Sequence, residues 1–313
     1  MRYLVTGGAG FLGANLCLRL LGEGHEVVAL DDLSTGFSQN VERLRAHANF
    51  RLVRHDIVQP LPMLGAFDFI YNMACPASPP RYQKDPVQTL RTSVWGVWNV
   101  LQYAKAEGTP VLQTSTSEVY GDPQISPQAE DYWGHVNPVG ARSCYDEGKR
   151  AAETLMMDFA RREGHPVKLV RIFNTYGPYM DPDDGRVVSN FIVQALRGQP
   201  LTIYGDGKQT RSFCYVDDLI DGLRAMERSR AAFMGPVNLG NPDEFTLLQL
   251  ADLVEEEAGH KLERRFEPLP GDDPKQRQPD ITLAEKELGW RPKVKLANGI
   301  SRTVAYFRTL LDL

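Results

Sequence analysis

Residues 2–32 read RYLVTGGAGFLGANLCLRLLGEGHEVVALDD, and this stretch decides the fold. A short apolar run, Tyr3–Val5, precedes the glycine-rich turn Thr6–Gly13. Leucines at helical spacing over Ala14–Glu23 predict a helix, and the β-branched apolar run Glu26–Leu30 predicts a second strand. The order strand, glycine turn, helix, strand predicts a β-α-β unit that opens a parallel sheet.

The same alternation of strands and helices continues through the first half of the chain. Apolar runs predict strands at Phe50–Arg54, Phe67–Met73, Val111–Ser115 and Val167–Phe173, and amphipathic periodicity predicts helices at Val87–Ala106 and Ser143–Glu163. Such alternation is typical of an α/β fold with a doubly wound parallel sheet. The pattern loosens after Gly177, where turn residues become frequent.

We therefore expect two domains with a boundary near residue 175. Residues 1–175 would form a dinucleotide-binding domain, and residues 176–313 a smaller α/β domain that binds the substrate. A short strand within 212–242, at Val237–Gly240, is expected to return to the first sheet. Helices are also predicted at Ser189–Arg197, Leu247–Ala258 and Gly299–Leu311.

The composition is that of a globular protein, with 313 residues, 42% hydrophobic, 24% charged and a net charge of -5. Mild acidity without a basic cluster argues against nucleic-acid binding and against attachment to an anionic membrane. The sequence contains no run of about 18 apolar residues, so we expect no membrane-spanning helix. The four cysteines are scattered without a CxxC pair, so we expect no metal site and a reducing compartment. Because the first strand begins at Arg2, we expect no signal peptide and a cytoplasmic protein.

The glycine turn has the chemistry of a phosphate-binding loop. Gly7, Gly10 and Gly13 let the backbone approach a pyrophosphate at the N-terminus of a helix, where free N–H groups favour anions. Asp31 follows at the end of the second strand, where a carboxylate accepts hydrogen bonds from the adenosine ribose. Asp31 and Asp32 together would repel a 2′-phosphate, so NAD is favoured over NADP. A turn residue remains the alternative for either aspartate, and the better one for Asp32.

A second group of residues has the chemistry of proton transfer. Tyr145 and Lys149 are four apart on a predicted helix, so both project from one face. A neighbouring ammonium and the positive nicotinamide ring favour the phenolate, which can act as a base. Thr116 and Ser117 stand at the end of a central strand, where they could bind a substrate hydroxyl, and Glu118 could transfer a proton. Taken alone, such a Tyr-Lys pair is usually structural, and a Ser-Thr run is often a cap or turn.

Together these motifs resemble the extended short-chain dehydrogenase/reductase family and, within it, the UDP-glucuronic acid decarboxylases, also called UDP-xylose synthases. The glycine turn and the Tyr-Lys pair identify only the superfamily. Related dehydratases usually carry Thr-Asp-Glu at Thr116–Glu118, and epimerases usually lack the glutamate. The resemblance covers nearly the whole chain and is carried by Thr6–Gly13, Ala74–Pro79, Thr114–Asp122, Arg142–Arg150, Arg171–Pro178, Asp184–Asn190, Tyr204–Phe213, Asn238–Pro242 and Asp272–Ile281.

The resemblance implies a Rossmann fold and a role for each matching position. Tyr145 would be the base on the sugar 4-hydroxyl with Lys149 as its partner, and Arg277 would hold the sugar carboxylate. Taken alone, Arg277 is only a charge in a polar loop. The implied catalytic residues are Thr116, Ser117, Glu118, Tyr145, Lys149 and Arg277. The implied NAD-binding residues are Gly7, Gly10, Phe11, Leu12, Gly13, Asp31, Asp32, Ser34, Thr35, Gly36, Asp56, Ile57, Ala74, Thr92, Tyr145, Lys149, Thr175 and Arg186. The implied substrate-binding residues are Pro79, Tyr82, Ser117, Glu118, Tyr145, Asn174, Val188, Tyr204, Gln209, Arg211 and Arg277.

The implied reaction is NAD-dependent decarboxylation of UDP-glucuronic acid to UDP-xylose through a 4-keto sugar. Three alternatives stay open on the same scaffold: a nucleotide-sugar 4-epimerase, a 4,6-dehydratase, and an oxidative decarboxylase that releases the 4-keto pentose. A non-catalytic NAD-binding regulator would be expected to have lost Tyr145, Lys149 or Glu118, and all three are present.

The resemblance also implies a homodimer built on the helices Val87–Ala106 and Ser143–Glu163. Val94, Val97 and Leu101 could supply its apolar surface, although packing inside one chain explains them equally well.

Overall fold

A parallel β-sheet forms the centre of the computed structural model, which describes residues 1–269 and 276–312. Within these residues the strands are β1 (Arg2–Thr6), β2 (Glu26–Asp31), β3 (Phe50–Arg54), β4 (Phe69–Asn72), β5 (Val111–Thr116), β6 (Val167–Ile172), β7 (Thr175–Tyr176), β8 (Leu201–Tyr204), β9 (Thr210–Ser212), β10 (Cys214–Tyr215), β11 (Val237–Leu239), β12 (Glu244–Thr246) and β13 (Arg264–Glu267). Seven of these described strands form one sheet in the order β11-β6-β5-β4-β1-β2-β3, and each neighbouring pair is parallel. The doubly wound α/β fold predicted from the sequence is confirmed. Of the segment Asp272–Ile281, residues 272–275 lie outside the described residues.

Helices cover both faces of this sheet. They are α1 (Phe11–Gly22), α2 (Ser38–Arg45), α3 (Pro79–Tyr82), α4 (Pro86–Arg91), α5 (Val97–Glu107), α6 (Ser143–Glu163), α7 (Val187–Leu196), α8 (Val216–Arg228), α9 (Leu247–Ala258), α10 (Thr282–Leu288) and α11 (Leu296–Leu310). Side chains of β1 alternate between the faces, so Val5 packs in the cluster that contains α1 and α8, whereas Leu4 packs with α5 and α6. Strands buried on both faces need apolar residues at every position, which is why they appear as continuous apolar runs.

The predicted helix Val87–Ala106 is interrupted. It runs as α4, then a π-helical turn at Thr92–Gly96, then α5. At Gly96 an added Cβ would lie 2.5 Å from the Ile57 side chain, so the extra residue of the π turn brings the backbone against the neighbouring loop. Such turns inside α-helices are frequent at functional sites.

The last third of the described chain packs against the sheet and also completes it. Strand β11 joins the edge of the sheet through the pairing of Val237 with Val170. The remaining strands make three small sheets, in which β8 pairs with β13, β9 with β12, and β7 with β10. A division into domains at residue 175 stays a prediction.

Two of the three residues predicted to supply dimer surface are in the core. Val97 and Leu101 are buried between α5, α6 and the sheet, and Val94 is half-buried. The exposed apolar side chains of this helical stretch are instead Val87, Leu90, Trp95 and Trp98.

No helix in the described part of the chain is both long and apolar enough to span a membrane. Across residues 1–269 and 276–312, no group of three His, Cys, Asp or Glu side chains is arranged to hold a metal ion.

Candidate active site

A cavity of about 580 Å³ lies at the carboxyl ends of the central strands. One side is formed by the ends of β1, β2, β4, β5 and β6, and the other by residues from α7, β8, β9 and Arg277. Open α/β sheets bind ligands at this edge, where the strand order reverses between β1 and β4. The topology therefore predicts a binding site at this cavity.

The glycine turn forms the floor of one end of the cavity through close backbone contacts. Gly7 has φ +69°, and a Cβ there would lie 2.8 Å from Cα of Ala74. A Cβ on Gly13 would lie 2.1 Å from the carbonyl oxygen of Gly7. Gly10 caps the N-terminus of α1, whose first turn lines the cavity. Side chains at these positions would fill the cradle that a pyrophosphate needs, so the turn fits a dinucleotide.

Asp31 closes the same end of the cavity. Its two carboxylate oxygens accept hydrogen bonds from the backbone N–H groups of Ala9 and Leu33, each at 2.9 Å. Burial raises the pKa of Asp31, and these two N–H groups lower it. The carboxylate is thus fixed at the end of β2 and still borders the cavity. Asp32 lies beside it and accepts from the N–H and hydroxyl of Ser34, as a turn residue does.

Strand β5 brings three polar side chains into the centre of the cavity. It ends at Thr116, and a single 3₁₀ turn over Ser117–Tyr120 follows. The Thr116 hydroxyl caps this turn by accepting a hydrogen bond from the N–H of Glu118 at 3.2 Å. Because the chain bends there, Thr116, Ser117 and Glu118 all border the cavity and are buried.

Two arginines hold the carboxylate of Glu118. Arg277 donates from Nη1 to Oε1 and from Nη2 to Oε2, both at 2.7 Å. Arg142 donates from Nη2 to both oxygens at 2.8 Å. Burial raises the pKa of Glu118, but Arg277 and Arg142 outweigh it and hold that pKa below its usual range. Glu118 is therefore an ionised acceptor in this structure.

Helix α6 supplies Tyr145 and Lys149, which face the cavity together. The Lys149 ammonium donates to the carbonyl oxygen of Thr114 at 3.0 Å and lies 5.8 Å from the centroid of the Tyr145 ring. Burial strongly raises the pKa of Tyr145, with Cys75 adding to the rise, and a hydrogen bond with Thr116 lowers it. The protein alone thus keeps the phenol protonated, so a base role requires a further positive charge in the site.

Asp146, the next residue on α6, is a buried carboxyl in the same cluster. Burial first, and then the charge of Glu118, raise its pKa to about 7, against the lowering effect of Arg142 and Arg277. Its Oδ1 has no hydrogen-bond partner within the described part of the chain.

The structure brings the predicted site residues to one place. All of them lie among the described residues, and all but Tyr82 border the cavity. Tyr82 lies behind Tyr145, with ring centroids 5.0 Å apart and planes within 3°. The residues from the glycine turn, the start of α1 and the chain at and after the ends of β2 and β3 are Gly7, Gly10, Phe11, Leu12, Gly13, Asp31, Asp32, Ser34, Thr35, Gly36, Asp56 and Ile57, and the others include Pro79, Thr92, Asn174, Thr175, Arg186, Val188, Tyr204, Gln209 and Arg211.

Sequence reasoning missed two members of this cluster, Arg142 and Asp146. Both stand inside the segment Arg142–Arg150 that carries the family resemblance. Helical spacing could have found Arg142, which stands three residues before Tyr145, whereas Asp146 is the next residue after Tyr145 and has no such signal.

The sequence matches the family described as the NAD dependent epimerase/dehydratase family over residues 3–240. The chain belongs to that family.

Similar members of the family include curated UDP-glucuronic acid decarboxylases. The chain is 53% identical to UDP-glucuronic acid decarboxylase 1 of Arabidopsis thaliana over 308 residues, which cover 98% of this chain and 70% of that protein. It is 50% identical to UDP-glucuronic acid decarboxylase 1 of Xenopus tropicalis, over 99% of this chain and 73% of that protein. The resemblance inferred from the motifs is confirmed.

Solved structures of family members share the fold over nearly the whole chain. A UDP-glucose 4-epimerase from Thermotoga maritima, determined with UDP-glucose, has a TM-score of 0.90 at 30% identity and covers 99% of this chain and 100% of its own. A UDP-glucuronic acid 4-epimerase from Bacillus cereus, in complex with UDP-glucuronic acid and NAD, has a TM-score of 0.89 at 28% identity with the same coverage.

Proposed function

We propose that this protein converts UDP-glucuronic acid to UDP-xylose and carbon dioxide with NAD as an internal redox cofactor. The observation that carries the proposal is a buried arginine fork, Arg277, at the wall of the cavity that also holds Tyr145 and Lys149. A planar guanidinium binds a carboxylate in two parallel bonds, which a neutral sugar cannot offer. The curated decarboxylases at about half identity support the same activity.

The cavity fits NAD at its glycine end. The glycine cradle would hold the pyrophosphate, Asp31 the adenosine ribose, and Thr92, Lys149 and Arg186 the part nearer the reacting centre. When bound, NAD supplies a hydride acceptor at the sugar C4 and later returns the same hydride.

The chain's own residues would manage the protons and the orientation. Tyr145 takes the proton of the 4-hydroxyl, while Thr116 and Ser117 hold that hydroxyl in line. Oxidation at C4 leaves a ketone next to the carbon that carries the carboxylate, so the sugar becomes a β-keto acid. Such an acid loses carbon dioxide because the electron pair delocalises into the ketone as an enolate. Arg277 orients the carboxylate for this loss. The enolate would then take up a proton at C5 from solvent, and Tyr145 would return its proton to the C4 oxygen when the hydride comes back.

The nucleotide would lie along the opposite wall of the cavity. A UDP group carries two phosphates, and Arg211 at the end of this wall offers a guanidinium for them. We assign the uridine diphosphate to the residues Pro79, Asn174, Val188, Tyr204, Gln209 and Arg211.

Product analysis by proton NMR tests the proposal. The purified protein is incubated with UDP-glucuronic acid without added NAD, beside Tyr145→Phe, which lacks the phenol that takes the proton. UDP-xylose from the wild type and none from the variant is the expected result. UDP-galacturonic acid would make the protein an epimerase, and a 4-keto pentose formed only with added NAD would make it an oxidative decarboxylase. Unchanged substrate with NAD present would overturn the proposal.

Two statements about the whole chain also belong to the proposal. The protein is a homodimer through the surface of α4, α5 and α6, supported by the exposed apolar residues Val87, Leu90, Trp95 and Trp98. It acts in the cytoplasm, which fractionation of cells that express the tagged chain would test.

A further inference from the structure

Arg142 contacts a residue of the candidate site, but the proposed reaction assigns it no role. It stands directly before α6 and is 9% exposed. Its Nη2 donates to both carboxylate oxygens of Glu118 at 2.8 Å. It also borders the cavity three residues from Tyr145, so it is part of the site and not of the distant core.

The carboxylate of Glu118 is saturated in this structure. Each of its oxygens accepts one hydrogen bond from Arg277 and one from Arg142. A carboxylate offers roughly four lone-pair positions, and these four hydrogen bonds, from three guanidinium nitrogens, use them all. Glu118 cannot accept from a sugar hydroxyl or take up a proton until one guanidinium has moved away.

The same contacts occupy Arg277. Both of its terminal nitrogens point at Glu118, and a planar fork forms two parallel bonds to only one carboxylate at a time. The proposed function, on which this inference rests, has Arg277 hold the carboxylate of the sugar. To do so, Arg277 must leave Glu118. Glu118 thus occupies on Arg277 the place that a substrate carboxylate would take.

The fold holds the backbone beside both arginines. Arg142 directly precedes a 21-residue helix that packs against the sheet. Next to Arg277, the N–H of Gln278 donates to Gln128 Oε1 at 2.9 Å and its carbonyl accepts from the N–H of Gln128 at 2.8 Å. Because the proposed function has Arg277 bind the substrate carboxylate, Arg277 is the arginine that exchanges partners and Arg142 the one that stays.

We infer that Arg142 is a positioning residue that keeps hold of Glu118 while Arg277 passes to the carboxylate of the substrate. Without Arg142, Glu118 would become a buried carboxylate with no cation beside it at the moment when Arg277 leaves. A buried charge that loses its partner is strongly penalised, so the carboxylate would take up a proton or turn away.

This exchange has a pH signature. Losing a nearby cation raises the pKa of a carboxyl group, so the acidic limb of the kcat profile should move to higher pH. The charged and titratable groups that face Glu118 are Arg142, Tyr145 and Asp146 from the start of α6, Tyr82 from α3, and Arg277. Arg142 lowers the pKa of Asp146 as well as that of Glu118, so the shift is also measured in an Asp146→Asn background, where it reports on the contact with Glu118.

The experiment measures kcat and KM for UDP-glucuronic acid from pH 5 to 9 in the wild type, Arg142→Gln and Arg142→Lys. For Arg142→Gln we expect kcat to fall roughly 10- to 100-fold, with a smaller change in KM. The apparent pKa of the acidic limb of the kcat profile should rise by about one unit or more. Arg142→Lys keeps the charge, so the apparent pKa of its acidic limb should stay close to the wild-type value, while its kcat stays below that of the wild type.

Arg224→Gln serves as the matched control. Arg224 is equally buried and pairs with Glu227 and Glu23, but it lies on α8, away from the cavity. It should lower the melting temperature and leave the acidic limb unchanged. A merely structural role of Arg142 predicts that Arg142→Gln behaves in the same way.

The outcomes separate this inference from the proposed function. If the wild type does not convert UDP-glucuronic acid, the proposed function fails. If the wild type does, and Arg142→Gln keeps the wild-type kcat and acidic limb, only the role of Arg142 is overturned. Should Arg142→Gln not fold, Arg142→Met replaces it, because methionine keeps an unbranched side chain and lacks the charge. Wild-type kcat and a wild-type acidic limb in that variant would overturn the role of Arg142.

Discussion

At the scale of single residues, the ring of Tyr82 supports the ring of Tyr145. The two stack in parallel at 5.0 Å between centroids, and Tyr82 is fully buried. The Tyr82 hydroxyl has no hydrogen-bond partner in the described part of the chain, so its ring and not its hydroxyl matters. The substrate contact that the resemblance implies for Tyr82 stays a prediction; in this structure its ring contacts the ring of Tyr145.

We expect Tyr82→Leu to lower kcat by roughly 10-fold or more, because it removes the surface that orients the Tyr145 ring. Tyr82→Phe is the control and should keep near wild-type kcat, since the ring remains. Steady-state kinetics beside a melting curve checks both. Equal losses in the two variants would contradict a role that belongs to the ring.

Asp146 gives a prediction about stability and pH. Its pKa is about 7 in the folded protein, above the ordinary value of 3.8, so the folded state binds its proton more tightly than the unfolded state does. Stability contributed by this group is therefore lost as pH rises from about 4 toward 7. Asp146→Asn, which mimics the neutral form, should raise the free energy of unfolding by up to about 3 kcal/mol more at pH 8 than at pH 5.

Urea unfolding of the wild type and Asp146→Asn at the two pH values is the measurement. An equal difference at both pH values would mean that Asp146 is ionised throughout. Asp158→Asn, an exposed residue on the same helix, is the control and should show no such dependence.

At this scale the sequence predicted the motif residues and missed the pairings between them. The glycine turn and the Tyr-Lys pair are local, so their spacing along the chain reveals them. Glu118 meets Arg277 across 159 residues, and only the folded chain brings these charges together. Local spacing could therefore not show that Glu118 holds two arginines.

At the scale of elements, the first turn of α1 tolerates no side chain at Gly13. Gly13→Ala would place a Cβ 2.1 Å from a backbone oxygen, whereas at Gly22, near the other end of the helix, a Cβ would meet nothing within 4 Å. We expect Gly13→Ala to lose NAD binding and to lower the melting temperature. Gly22→Ala should keep both and gain up to about 1 kcal/mol from helix propensity.

NAD binding by fluorescence and thermal melting of the two variants provides the check. If Gly13→Ala binds NAD like Gly22→Ala, the close approach of the backbone is not required.

The strands of the large sheet were predicted better than the elements that surround it. Strands β3 and β13 show the difference: β3 begins and ends where its apolar run does, while β13 is too short and polar to be recognised. Helix α8 was not among the predicted helices, although its buried residues recur at helical spacing. The π turn inside Val87–Ala106 was not predicted either, since a single inserted residue shifts the apolar pattern by only one position.

At the scale of the whole molecule, the exposed tryptophans predict how two copies associate. Trp95 is 56% exposed on the helical surface proposed for the homodimer. Trp95→Glu should therefore shift the mass measured by light scattering at micromolar protein from two chains to one. Met63→Glu, at a residue that is 98% exposed elsewhere, is the control and should leave the dimer intact. A wild-type mass of one chain would contradict the homodimer.

Strand β11 has a consequence for how the chain must be synthesised and handled. The strand lies late in the sequence, yet it covers the outer edge of β6 through the pairing of Val237 with Val170. A fragment that stops at residue 175 would contain the glycine turn and the Tyr-Lys pair but would leave that edge bare. Bare strand edges recruit other strands, so such a fragment should aggregate when expressed. The half predicted to bind NAD is therefore not expected to fold as a separate module, and a design that transfers it to another protein must include residues 237–239.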